Sequence, residues 1–228
     1  MSAVHLSEVG EWEACEGSCP LPLHVPGLSV EEAKLLPQSM VDQLCEAFDP
    51  PTYLNAEGWK RWEDAPNRSH RDYGLPAQIW PNGERQWAQH GKLHRDGDLP
   101  AVVGPDGGRW WYQHGQRHRD GDQPAVIRPD GGLRWFQRDE LHRENDLPAL
   151  VDPDGSQCWF VRGVRHRNNG KPAVVIPNHV MEWYEHGKLH CETGPARVSA
   201  EGPDEYWLRG LQVDELRITE LIAAKRGY

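Results

Sequence analysis

The sequence of 228 residues lacks any long apolar run, and its first residues contain no basic segment followed by an apolar one. A membrane-spanning helix needs about 20 consecutive apolar residues, and an export signal needs those two segments in that order. We therefore expect a cytoplasmic protein without a membrane partner. Cysteine is also scarce: the five cysteines form an odd number without regular spacing, which argues against a disulfide framework and favours reduced thiols.

The formal net charge of -10 is concentrated at the start of the chain. Residues 1–69 hold 12 acidic and 4 basic side chains, whereas residues 70–213 hold 20 and 18. A nearly neutral body has no broad attraction for phosphate backbones or anionic lipid, which argues against nucleic acid and membrane partners. The acidic segment suits a basic partner surface, although such segments are most often simply solvated.

What the sequence does contain is a period of 24 residues. Histidine and tryptophan both recur at this step, and each tryptophan follows its histidine by 17 residues. These two ladders are His70, His94, His118, His142, His166 and His190, and Trp87, Trp111, Trp135, Trp159, Trp183 and Trp207. In the sixth repeat Pro195 comes one residue early, and we expect an extra residue before Trp207 to restore the register.

Each repeat is predicted to form a β-hairpin. Two prolines and several Asp-Gly or Asn-Gly pairs in each repeat leave no helix-length stretch free of helix breakers. In the repeat that begins at His94, the segments PAVV and RWWYQH are rich in β-branched and aromatic residues and flank the turn PDGG. One such hairpin buries too little apolar area to fold alone, so neighbouring repeats must stack.

The predicted fold is mainly β: an elongated, twisted antiparallel sheet of stacked β-hairpin repeats with a short helical N-terminal segment and a C-terminal capping helix. Short helices are expected at 29–37 and 39–48, either to cover one sheet face or to engage a partner. The predicted regions are an acidic N-terminal segment with short helices at 1–54, a degenerate half-repeat that caps the front at 55–69, six repeats at 70–213, and an amphipathic capping helix at 214–228.

Alternation of side chains along the second strand places each tryptophan on one face and the next aromatic residue on the other. The aromatic residues on that other face are Tyr112, Phe136, Phe160 and Tyr184. If the N-terminal helices cover one face, this row stays exposed on the second, and exposed apolar rows mark interfaces. We predict that the row binds another protein or a second copy of the chain.

The repeat resembles the MORN repeat over residues 55–213, because an aromatic strand, a glycine, a turn histidine and an Asp-Gly hairpin follow one another. The residues that carry the resemblance are Trp111, Gly115, His118, Gly121 and the Asp130-Gly131 turn, and again Trp183, Gly187 and His190. The repeat departs from the family pattern: it is one residue longer than usual, arginine follows the turn histidine in place of glycine, and Pro-Ala opens each first strand.

The resemblance implies an elongated hairpin array used for protein interaction, dimerisation or membrane-proximal scaffolding, with no catalytic residue. Variant MORN repeats also occur in bacterial proteins labelled antitoxins and in large DNA viruses. An alternative therefore stays open, in which the chain is a conflict protein, either an antitoxin or a viral or phage inhibitor of host defence. Such a protein would sequester an enzyme or a small nucleotide ligand.

We predict no catalytic residue, no cofactor and no metal ion. Equivalent histidines on stacked hairpins lie two strands, about 9.6 Å, apart, whereas the ligands of one zinc ion lie about 3 to 4 Å apart. We expect each imidazole to bond the backbone within its own turn, and the following arginine and acidic residue, such as Arg95 and Asp96, to pair between repeats. Those acidic neighbours also argue against a nucleic acid strand lying along the arginines.

Two further groups of polar residues could form a site: the cysteines and histidines of the N-terminal segment, and the residues that depart from the repeat pattern. Cys15, Cys19 and His24 have loosely zinc-like spacing, but only Cys45 or His5 offers a fourth ligand, and we do not expect a zinc site. An enzyme would need a polar cluster outside the repeat pattern. The only irregularities are Asp139-Glu140, Cys158 and Asn178-His179, which we interpret as drift of the repeat.

Overall fold

The computed structural model describes residues 3–6, 12–15, 49–72 and 74–226. The chain forms two compact units, Met1–Pro105 and Asp106–Tyr228. The helices predicted at 29–37 and 39–48 lie outside the described residues. Among the helices that are described, none is both long enough and apolar enough to cross a membrane.

In the first unit, short antiparallel strands form a sheet in which neighbours in the chain are neighbours in space. These sheet strands are Tyr53–Leu54, Lys60–Arg61, Gln78–Ile79, Arg85–Gln86 and Val102–Val103. Two small hairpins branch from it, Glu63–Ala65 with Arg68–Ser69 and Ala88–Gln89 with Lys92–Leu93. A further hairpin pairs Ala3–Leu6 with Trp12–Cys15.

The second unit repeats this arrangement and ends in a helix, Glu215–Arg226. Its sheet strands are Arg109–Trp110, Val126–Ile127, Leu133–Arg134, Leu150–Val151, Gln157–Cys158, Val174–Ile176, Val180–Glu182 and Arg197–Ser199. Its small hairpins are Tyr112–Gln113 with Gln116–Arg117, Phe136–Gln137 with Glu140–Leu141, Phe160–Val161 with Val164–Arg165, Tyr184–Glu185 with Lys188–Leu189, and Tyr206–Leu208 with Leu211–Val213. The mainly β fold of stacked antiparallel hairpins and the C-terminal helix are thus confirmed.

Each repeat, however, contains two hairpins rather than the predicted one. The expected second strand RWWYQH is interrupted at Trp111, whose N–H donates to the carbonyl of Ala125 at 2.8 Å in the sheet. The carbonyl of Trp111 instead accepts from the N–H of His118 at 3.2 Å, beyond the end of the small hairpin. The tryptophan is therefore the residue at which the chain leaves the sheet, and we call the small hairpin that follows it the corner hairpin.

Apart from the front one, whose turn is Pro66-Asn67, the corner hairpins close with two consecutive residues of positive φ. In the turn His114-Gly115 these angles are 52° and 88°, and in Arg162-Gly163 they are 49° and 74°. Two left-handed residues in a two-residue loop define a type I′ turn, which matches the twist of a hairpin and favours glycine at the second position. The recurrent Xaa-Gly pair was the sequence signal for this second hairpin.

The core of each unit lies where the sheet meets the corner hairpins. Its small members, all 0% exposed, are Ala77, Ala101, Ala125, Ala149, Ala173 and Ala196. Its large members, 2 to 7% exposed, are Trp62, Trp87, Trp111, Trp135 and Trp159. Because the backbone of each alanine pairs beside an indole, a larger side chain has no space there, and this explains the recurrent Pro-Ala.

The front of the array, where a half-repeat is predicted at 55–69, contains both a sheet hairpin and a corner hairpin. Tyr53–Leu54 pairs with Lys60–Arg61, so the expected boundary at residue 54 falls inside a sheet hairpin. Trp62 follows with a corner hairpin of its own, and its indole N–H donates to the carbonyl of Asp49 at 2.8 Å. Sequence reasoning recognised only part of this repeat, because its turn residues and its spacing differ from those of the others.

The sixth repeat is one residue shorter than the others, and no later residue makes up the difference. In its corner hairpin Trp207 aligns with Tyr184, and Tyr206 occupies the core position of Trp183. The expectation that an extra residue restores the register of Trp207 is therefore wrong, and Trp207 does not belong to the buried tryptophan row. The reason lies in the backbone hydrogen bonds. The N–H of Ala196 donates to the carbonyl of Glu205 just as the N–H of Ala173 donates to that of Glu182, so no extra residue lies between.

The C-terminal helix contacts the last repeat at few points. The carboxylate of Asp214 accepts from the backbone N–H of Arg217 at 2.9 Å and caps the first turn. Ile218 is buried, whereas Leu216 is 65% exposed, so only part of the apolar surface of this helix is covered. An ion pair between Lys225 and Glu192 joins its last turn to the repeat.

Candidate functional site

Each buried indole carries an arginine on its face. The guanidinium carbon lies 3.7 to 3.9 Å from the ring centroid in the pairs Arg71–Trp62, Arg95–Trp87, Arg119–Trp111, Arg143–Trp135 and Arg167–Trp159. A cation desolvated over an aromatic face is held by the ring quadrupole. These arginines are thus core components, each with one face of its guanidinium on an indole.

Arg71, Arg143 and Arg167 pair with an aspartate of the preceding turn, and not with the acidic residue that follows a ladder histidine. Arg143 Nε donates to Asp122 at 2.8 Å, and Arg167 Nε donates to Asp146 at 2.7 Å. The backbone carbonyl of Asp146 also accepts the indole N–H of Trp159 at 2.9 Å. One aspartate therefore satisfies both members of the cation–indole pair, which explains the constant spacing of turn and tryptophan.

The ladder histidines join successive corner hairpins. The Nδ1 atom of His142 accepts from the backbone N–H of Arg162 at 3.3 Å, and that of His190 accepts from Arg209 at 3.2 Å. The expected bond to the backbone of the histidine's own turn is wrong, because the turn of the next corner hairpin stacks against the ring and presents its N–H. These histidines therefore form part of the seam between two repeats, whereas the buried Nδ1 of His118 has no hydrogen-bond partner among the described residues.

The second ring nitrogen of each ladder histidine faces the side chain two residues later. His94 Nε2 lies 3.1 Å from Asp96, and His118 Nε2 lies 3.1 Å from Asp120. Where Nδ1 accepts a backbone N–H, as in His142, Nε2 carries the proton and donates to the carboxylate, here that of Glu144 at 2.8 Å. The His-Arg-acidic pattern thus separates into two roles: the acidic residue orients the imidazole, while the arginine enters the core.

The predicted partner-binding residues Tyr112, Phe136, Phe160 and Tyr184 open four corner hairpins of the second unit. We call them the aromatic row. They are half-buried, and they do not form the uninterrupted apolar face that was expected, because arginines of the corner hairpins lie on three of the four rings. Burial raises the pKa of the Tyr112 and Tyr184 hydroxyls.

Two arginines lie on the aromatic row, and their surroundings differ. Arg117 lies 4.1 Å from the centroid of Phe136 and pairs with Asp139 at 2.8 Å. Arg165 lies 5.5 Å from the centroid of Phe160 and 4.9 Å from that of Tyr184. In the part of the chain that the structure describes, no carboxylate is within ion-pair distance of Arg165, and its buried Nε has no hydrogen-bond partner. Gly187 occupies the position relative to Arg165 that Asp139 occupies relative to Arg117, so Arg165 lacks the equivalent carboxylate.

The remaining irregular residues do not assemble into one polar cluster. Asp139 pairs with Arg117, and Asn178 forms a turn with a φ of 62°. The His179 ring is exposed, 3.8 Å from Glu201. Cys158 is half-buried in the sheet, and this burial raises the pKa of its thiol.

The zinc-like candidates of the N-terminal segment cannot be compared as a set. Cys19, His24 and Cys45 lie outside the described residues. His5 and Cys15 lie on the two strands of the N-terminal hairpin. A different group in the first unit does bring ligand atoms together: one atom from each of Asp64, His70 and His90 lies within 4.8 Å of the others.

A shallow groove of about 1060 Å³ follows the corner hairpins of the second unit. The ladder residues His118, His142 and His166 line it, together with the exposed Val161 and Val164. No family model matches this chain, nor does any curated protein or any solved structure.

Proposed function

We propose that the chain is a non-catalytic repeat scaffold that binds another protein through the aromatic row. Aromatic residues and arginine are the side chains most enriched at interfaces, and few of them carry most of the binding energy. The rings of Phe160 and Tyr184 open hairpins whose strands pair in register and close in tight turns. A ring held in this way loses little conformational entropy when a partner binds.

The observation that carries the proposal is the guanidinium of Arg165 between two half-buried rings. Arg165 is half-buried, its Nε has no hydrogen-bond partner among the residues that the structure describes, and a partly desolvated cation without a carboxylate lacks a counter-charge that would offset the loss of water. A partner carboxylate would supply that charge and a bidentate hydrogen bond, while apolar side chains beside it would cover Phe160 and Tyr184. The chemistry of the row therefore suits a protein segment that combines an acidic residue with apolar neighbours.

The same arrangement favours a different protein over a second copy of the chain. In a two-fold dimer the same patch appears on both sides of the interface. Two facing rows would place Arg165 near the arginines of the other copy, and like charges across an interface are unfavourable. Self-association through the row is thus opposed by its charge.

The test is a comparison of Arg165→Gln with the matched control Arg162→Gln, which removes an exposed arginine of the adjoining turn. The wild-type chain and both variants would serve as bait in the native cell extract, and the captured protein would then be purified and titrated by calorimetry. We expect Arg165→Gln to weaken binding by roughly 30-fold, the effect typical of an interface hot spot, and Arg162→Gln to bind as wild type.

Unfolding by urea, followed by circular dichroism, separates binding from folding. Loss of binding with an unchanged midpoint supports the aromatic row as the interface. Equal binding of the purified partner to all three proteins would exclude it.

A further inference from the structure

We propose that Asp64, His70 and His90 form a binding site for one divalent transition-metal ion, with zinc as its natural probe. The Nδ1 atom of His90 lies 2.5 Å from Oδ2 of Asp64. The rings of His70 and His90 are stacked, with centroids 4.4 Å apart. Within the described part of the chain, no other three groups of His, Cys, Asp or Glu bring their ligand atoms so close together.

A β-bulge places the carboxylate in this site. Between the core tryptophan and the ladder histidine the front repeat has one residue more than the repeat that follows it, from Trp62 to His70 against Trp87 to His94. The strand register shifts between Glu63 and Ala65, so Asp64 is the extra residue. Bulges re-aim a side chain, and they are frequent beside functional sites. The side chain of Asp64 turns towards the corner turn of the next repeat.

The donor set suits the late first-row divalent ions. Two imidazole nitrogens and one carboxylate oxygen are typical ligands of zinc, and water completes a site that has three protein ligands. In a tetrahedral site the ligand atoms lie about 3.4 Å apart. The Nδ1 atom of His90 and Oδ2 of Asp64, now 2.5 Å apart, must therefore separate by roughly one ångström, while any wider separation in the cluster, at most 4.8 Å, must shrink. His90 is 67% exposed on a turn, which leaves its ring free to move.

Hydrogen bonds around the cluster prepare two of the ligands. Asp72 accepts from Nε2 of His70 at 3.1 Å, and a carboxylate in that position orients a metal-ligating imidazole. The Nδ1 atom of His70 accepts from the backbone N–H of His90 at 3.1 Å, and it would give up this hydrogen bond to bind the ion. Arg68 donates to Oδ1 of Asp64 at 2.6 Å, and Oδ2 of the same carboxylate faces His90.

The chain contains an internal control for this site. His166 and His186 form an equivalent stacked pair, with centroids 4.8 Å apart and the His186 N–H donating to His166 Nδ1 at 3.3 Å. Their corner hairpins have no bulge, and Asn168 takes the place of Asp72. The pair therefore offers two imidazoles without the carboxylate, and it should not bind an ion with comparable affinity.

An ion at the site would connect two successive corner hairpins, 63–69 and 88–93, within the first unit. A ligand that binds the folded state alone raises its stability by mass action. The seam between these two hairpins would thus depend on the metal, whereas the histidine seams of the second unit would not.

The decisive experiment is zinc titration of the metal-free full chain, without an affinity tag, by calorimetry. The variants are Asp64→Asn, His90→Asn and the control His186→Asn; asparagine tolerates the left-handed backbone of both turns, where φ is 49° and 48°. We expect one tight site in the wild type and in His186→Asn, and at least a tenfold weaker site in the other two. Wild-type affinity in Asp64→Asn and His90→Asn would overturn the proposal, as would an equal loss in His186→Asn.

Hydrogen exchange provides a readout that a purely structural role would not change. Zinc should increase the protection of residues 63–69 and 88–93 in the wild type and leave it unchanged in Asp64→Asn. Exchange of the metal-free proteins should be the same, which shows that the variant folds. Equal zinc-dependent protection in both proteins would contradict the assignment of Asp64 as a ligand.

Discussion

The tryptophan row and the histidine ladder share one period, but the structure gives them different roles. Trp135 is 7% exposed and lies under Arg143, with its indole N–H on a backbone carbonyl. His142 lies at the seam between two corner hairpins and accepts one backbone N–H from the next. A common spacing therefore shows that two residues recur together, and their surroundings decide which one supports the core.

The largest effect that separates the two rows is expected at the centre of the core. Trp135→Ala should lower the free energy of unfolding by about 3 to 5 kcal/mol, because it removes a buried indole and leaves a cavity beside Ala149. The measurement is urea unfolding followed by circular dichroism, with the half-buried Trp183→Ala as control. A loss at Trp135 no larger than that at Trp183 would contradict the burial of the row.

A smaller loss is expected when the cation over the indole is removed. Arg143→Met keeps much of the side-chain volume but leaves the partly exposed Asp122 carboxylate without its partner and the Trp135 face without its cation, at a cost of about 1 to 3 kcal/mol. Combining it with Asp122→Asn in a double-mutant cycle isolates the pair. Strict additivity of the two changes would show that Arg143 and Asp122 do not interact.

Acid should weaken the same pairing in the neighbouring repeat. Hydrogen bonds from Arg167, and then from Lys171, lower the pKa of Asp146 from 3.8 to about 2. A depressed carboxyl pKa adds stability above its ordinary value, and this contribution is lost as the carboxyl becomes protonated. The stability difference between wild type and Asp146→Asn should therefore shrink as pH falls from about 4 to about 2. A difference that stays constant through this window would exclude the ion pair as its source.

The smallest effect is expected on the histidine ladder. His142→Gln removes the Nδ1 acceptor of one inter-repeat hydrogen bond, which contributes about 1 kcal/mol. Amide exchange at Arg162 should accelerate, while the tryptophan fluorescence of the folded state stays unchanged. A loss of stability equal to that of Trp135→Ala would place the ladder in the core and remove the distinction between the two rows.

Much of the fold could be predicted from local patterns. The 24-residue period, the paired turns and the Pro-Ala strands identify stacked hairpins, and the last segment identifies a helix, because turn chemistry and strand propensity act within a few residues. The candidate metal cluster was not predicted. Asp64 has no counterpart in the other repeats, and its meaning depends on a bulge that brings it to a histidine 26 residues away.

The sequence by itself therefore determined the period, the β-class and the residues that recur. Only the tertiary structure decided that a repeat bends at its core aromatic residue into two hairpins, that an arginine stacks on each buried indole, and that ladder histidines such as His142 bond the next repeat. It also decided that Trp207 leaves the tryptophan row. The physical reason is that these features are contacts between repeats: identical repeats have identical local preferences, and the backbone register between neighbours selects which groups meet.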